Sequence, residues 1–115
     1  MAETLGDRIK RLRKERGLGL RETAAKVGIS ATFLSRVENN AEKAAPGEEV
    51  IRKLATVLGV EFDTLMQLAG RVAHDVVDVI KSDAGMPAFL RRARDEGISS
   101  EELMKLLDKS KKGKR

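Results

Sequence analysis

Apolar residues recur at helical spacing along most of the chain. Leu5, Ile9 and Leu12 keep one face of a helix from about Thr4 to Arg16, and Gly17 closes it. A second helix, about Leu20 to Val27, follows Gly19 at its N-cap. Gly28-Ile29-Ser30 then separates it from a third, about Ala31 to Asn39, with Ser30 as the cap. Two short helices joined by a three-residue turn containing glycine form the helix-turn-helix pattern. After a loop over 40–45, Pro46 and Gly47 lead into a fourth helix. Glu48 and Glu49 open it, Val50, Ile51, Leu54, Val57 and Leu58 form its apolar face, and Gly59 ends it. A fifth is expected over about Asp63 to Ala69.

Gly70 is the candidate boundary. Beyond it Ala73, Val76, Val77 and Ile80 follow helical spacing, although Val-Val-Asp-Val-Ile also has strand propensity. Another helix is expected over about Pro87 to Glu96. Ser99-Ser100-Glu101-Glu102 reads as a capping box that opens a last helix ending near Leu107. Residues 109–115 are expected to be a disordered basic tail. The chain is thus expected to be all-α. Residues 1–70 form a five-helix helix-turn-helix domain, and 71–108 a short helical extension too small for a core of its own.

Composition narrows the chemistry. With 41% hydrophobic and 3% aromatic residues, the core must be aliphatic, which suits packed helices. There is no cysteine, so no thiolate chemistry and no disulfide framework. His74 is the one histidine, and Asp75, Asp78 and Asp83 have the spacing of a solvated helix face. No metal site, no cofactor and no enzyme activity are expected. No apolar run approaches the ~20 residues of a membrane span, and no signal peptide is read, so a cytoplasmic protein is expected. Residues 1–60 hold 12 Lys/Arg against 8 Asp/Glu, whereas 61–108 hold 6 against 10. A basic first half suits nucleic acid, and an acidic second half does not.

The first part resembles the Cro/phage-repressor family, also called the xenobiotic-response-element family. The matching residues are Ile9–Arg13, Gly17-Leu18, Arg21-Glu22, Ala24, Lys26 to Ser30, Phe33 to Asn39, Pro46, Arg52 to Ala55, and Leu58 to Val60. The resemblance implies a transcriptional repressor that binds a double-stranded DNA operator of two half-sites as a homodimer. By position, Ala31, Thr32, Ser35 and Arg36 would meet base edges. Gly19, Arg21, Ser30, Asn39 and Lys43 would meet phosphates, which position without reading sequence. Arg13 and Glu38 would pair as scaffold. Two departures weaken helix starts: Gly19 and Glu61 stand where the family has Ser or Thr caps. At Thr23 the family has a large apolar residue.

The acidic extension would supply dimerisation through Val76, Val77, Ile80, Phe89, Leu90, Leu103 and Leu106. Its stretch from Met86 to Leu106 also resembles small repressors encoded beside ImmA/IrrE-type metallopeptidases, in phage, mobile elements and defence systems. That resemblance implies a partner metallopeptidase that cleaves near Phe89 and Leu90. An alternative is an antitoxin that regulates its own operon and holds a toxin through its C-terminal part.

Overall fold

The computed structural model describes residues 2–113, and every regular element among these is a helix. The elements are α1 (Leu5–Glu15), α2 (Leu20–Val27), α3 (Ala31–Glu38), α4 (Glu48–Leu58), α5 (Phe62–Ala69), α6 (His74–Lys81), α7 (Met86–Asp95) and α8 (Ser100–Gly113). They fall into two compact units, Met1–Ala73 and His74–Arg115.

In the first unit side-chain caps set the starts of α1 and α3. Thr4 Oγ1 accepts from the Asp7 amide at 3.0 Å, and the Asp7 carboxylate accepts from the Thr4 amide at 3.3 Å. Two donors that helix geometry would orphan are thereby satisfied. Ser30 Oγ caps α3 by accepting from the Phe33 amide at 3.0 Å. α2 and α5 start without a side-chain cap, at Gly19 and Glu61. The Glu22 carboxylate offers α2 a long contact with the Gly19 amide, 3.4 Å.

The apolar faces then meet. α1 packs on α3, α4 and α5, α2 on α3 and α4, and α4 on α5. Ile9, Val27, Leu34, Ile51, Leu54, Leu58 and Leu65 are buried at the centre. Burying each such side chain stabilises the fold by roughly 1.5–3 kcal/mol relative to exposure. The Arg52 guanidinium lies 4.1 Å from the centroid of the Phe62 ring and covers the α4–α5 corner.

In the second unit α6 packs on α7. The Val76–Ile80 run is helical despite its strand propensity, and none of its side chains is buried. The capping box at Ser99 is formed: Ser99 Oγ accepts from the Glu102 amide at 3.1 Å, and the Glu102 carboxylate accepts from the Ser99 amide at 3.3 Å. α8 does not close near Leu107. It continues to Gly113, so residues 109–113, expected as disordered tail, are helical. Lysine is a good helix former, and cations suit a helix C-terminus. Lys114 and Arg115 lie outside the described residues. Among the described residues no helix is long and apolar enough to cross a membrane.

Candidate nucleic-acid interface

The turn between α2 and α3 is built on Gly28, whose backbone is left-handed (φ 75°, ψ 32°). That region costs L-residues with a Cβ about 1–2 kcal/mol. The Ile29 amide donates to the Ala24 carbonyl at 3.0 Å and ends α2 sharply. Ala24 is buried where the helices approach. Val27, Leu34 and Val37 are buried too, which fixes the rotation of α3.

That rotation leaves Thr32, Arg36 and Asn39 exposed, with Ala31 and Ser35 half-buried beside them. The spacing 31, 32, 35, 36, 39 traces a single face of a helix. Asn39 Nδ2 lies 3.4 Å from Ser35 Oγ along this face. Ser30 Oγ uses one of its two lone pairs on the cap and keeps its hydroxyl hydrogen to donate. Gly19 and Arg21 are exposed at the start of α2, and Lys43 is exposed in the loop after α3.

Beneath the face sits a buried ion pair. Arg13 Nε donates to Glu38 Oε2 at 2.7 Å and Nη2 to Oε1 at 2.9 Å, a two-pronged contact. Nη1 donates to the Leu18 carbonyl at 2.9 Å. Arg13 is 9% exposed and Glu38 4%. The carboxylate raises the guanidinium's pKa further above its usual value, so Arg13 stays charged. α1, the α1–α2 turn and the last turn of α3 are thereby locked together.

A second contact was not legible in the sequence. Arg36 Nε lies 2.8 Å from Oε1 of Glu42 in the loop between α3 and α4. The only signal was an acidic residue six positions after the arginine. That loop is itself held. The Ala41 amide donates to the Arg36 carbonyl at 2.8 Å, and Arg71 Nη2 to the Ala45 carbonyl at 2.6 Å.

In the second unit Phe89, Leu103 and Leu106 come together, lining an open groove of about 330 Å³ with Ala93 and Ile98. Val76, Val77, Ile80 and Leu90 lie outside its lining. Val76, Phe89, Leu90 and Leu106 are exposed, and Val77, Ile80 and Leu103 half-buried. The Phe89–Leu90 bond lies within α7, where the Phe89 amide donates to the Gly85 carbonyl at 3.0 Å. Cleavage there would require that helix to unwind first.

Five packed helices, with α3 set across a left-handed glycine from α2 and presenting an outward polar face, define the helix-turn-helix class. A helix-turn-helix family model matches residues 9–65. The HTH-type transcriptional regulator SinR of Bacillus licheniformis is 32% identical over 111 residues, 96% of this chain and 96% of SinR. A structure of a SinR protein/SinI protein complex aligns at TM-score 0.51 and 30% identity, over 94% of this chain and 95% of that one. A crystal structure of SinR, the master regulator for biofilm formation, in complex with DNA aligns at TM-score 0.50 and 38% identity. It spans 55% of this chain and 98% of that one. The chain belongs to the SinR-like family of helix-turn-helix transcriptional regulators, whose members are regulators and not enzymes.

Proposed function

We propose that the chain is a sequence-specific DNA-binding repressor in which α3 enters the major groove and reads base edges through Ala31, Thr32, Ser35 and Arg36. The observation that carries this reading is the outward face of α3, anchored from below by the Arg13–Glu38 pair. Early residues of a recognition helix meet base edges in this class of motif. Arg36 supplies a fork suited to guanine, and Thr32 a hydroxyl and a methyl. Gly19, Arg21, Ser30, Asn39 and Lys43 flank that face and suit phosphate contacts. The match to SinR in complex with DNA supports the same role.

The protein acts as a homodimer on a two-fold operator, and the second unit supplies the pairing. Its exposed Val76, Phe89, Leu90 and Leu106 support this, because exposed apolar side chains in a small unit favour association. A two-fold dimer sets two recognition helices about one DNA turn, roughly 34 Å, apart. A second occupant, a partner protein, is favoured by the match to the SinR/SinI complex, which reaches across 94% of the chain.

Gel retention of DNA from the protein's own upstream region tests the reading. The full chain retains one fragment over competitor, and Arg36→Ala loses this preference while keeping the dimer mass. Retention of no fragment at low salt contradicts DNA binding. A chain ending at Ala73 that still has full dimer mass contradicts pairing through the second unit.

A further inference from the structure

Arg36 is not a free cation on the surface of α3. Its side chain is 58% exposed, whereas that of its partner Glu42 is 26% exposed, so the carboxylate is the better-held member of the pair. Glu42 owes this to its loop, pinned at Ala41 by the end of α3 and at Ala45 by the Arg71 guanidinium. An exposed ion pair is worth about 0–1 kcal/mol, so the fold has little need of it. Its consequence lies in what Arg36 is left able to do.

A guanidinium carries five N–H donors in a rigid planar fork. The carboxylate sits on its Nε side, at 2.8 Å. The terminal edge formed by Nη1 and Nη2 keeps two parallel donors, the number that guanine O6 and N7 accept. The negative charge also offsets the attraction of Arg36 to phosphate, which is the part of binding that ignores sequence.

We propose that Glu42 is a specificity-determining residue: it holds Arg36 in the orientation that reads guanine and denies it to phosphate. The inference rests on the DNA-binding reading above and extends it to a loop residue outside α3. Without the carboxylate, Arg36 swings to whichever phosphate is near. Affinity for arbitrary DNA then rises as preference for guanine falls.

The test uses the full chain as wild type, Glu42→Gln, Arg36→Ala and the double variant. Duplexes are selected from a random pool with the wild type. Binding is then measured across salt concentrations on the selected duplex, on the same duplex with the Arg36-dependent guanine pair replaced, and on a random duplex. Wild type favours the guanine duplex by roughly 5- to 150-fold, the worth of one good bidentate pair. Glu42→Gln loses most of that ratio. It binds the random duplex more tightly, with a slope of log K against log salt steeper by about 0.9, one extra phosphate. The double variant shows neither change relative to Arg36→Ala. Equal weakening on all duplexes makes Glu42 mere scaffold and overturns the inference, as does an unchanged ratio and slope. A wild type that selects no consensus overturns the DNA-binding reading, and this inference with it.

Discussion

A methyl group placed on Gly6 would lie 2.1 Å from the carbonyl oxygen of Val37 and 2.8 Å from Oδ1 of Asn40. The first turn of α1 therefore rests directly on the backbone at the end of α3. Gly6→Ala should destabilise the protein by about 1–3 kcal/mol, because a backbone carbonyl cannot swing aside as a side-chain tip can. With the closest approach to backbone at 2.1 Å, the loss should lie in the upper part of that range, above the ~1 kcal/mol alanine gains over glycine within a helix. Urea denaturation checks this, and an unchanged or raised midpoint contradicts it.

Arg13 and Glu38 make the same connection through charge. Arg13→Ala leaves Glu38 buried without its partner and should cost about 3–5 kcal/mol. Replacing both, as Arg13→Met with Glu38→Leu, should recover most of that stability, since two apolar side chains leave no buried charge. Chemical denaturation of the single and double variants measures the difference. A double variant no more stable than Arg13→Ala would show that the pair does more than offset its own burial.

Thr23 is fully buried on α2, and its Oγ1 has no hydrogen-bond partner. Thr23→Val keeps the shape and removes the orphaned hydroxyl. It should stabilise the protein by about 1–3 kcal/mol, the usual cost of an unsatisfied buried polar group. A lowered Tm would contradict this account of the site.

Thr23, Arg13 and Arg36 illustrate what a sequence discloses. The apolar periodicity of α1 to α5 and the glycine turn at Gly28 are local signals, so the helices and the outward face of α3 could be read directly. The weak caps at Gly19 and Glu61 were legible through the family resemblance, as departures from its Ser or Thr caps. The Arg36–Glu42 contact and the Arg71 clasp on Ala45 were not. They depend on how an aperiodic loop folds back, and no spacing rule encodes that. The length of α8 was missed because a lysine-rich stretch reads equally as helix or solvated tail.

The start of α1 should also respond to acid. The Asn40 amide donates to Asp7 at 3.1 Å, and with the Thr4 amide and hydroxyl it holds the Asp7 carboxyl below its ordinary value. Hydrogen bonds from Arg11, then Arg8, push Glu3 down to about 2 from 4.5. A depressed folded-state pKa means stability that is present above the ordinary carboxylate value and lost as pH falls through the folded one. The urea midpoint should therefore hold down to about pH 5 and decline from there towards pH 2. In Asn40→Ala, NMR titration should find the Asp7 pKa moved back up. An Asp7 titration unchanged in that variant would contradict the assignment of Asn40 as its main partner.

The central claim is that this face of α3 meets DNA, and amide NMR of the full chain titrated with its selected duplex tests it most directly. The expected shifts concentrate at Gly19 to Arg21, Ser30 to Arg36, Asn39 and Lys43, with the amides of α5 little changed. Shifts centred on α5 or on the second unit, with α3 silent, would contradict the account.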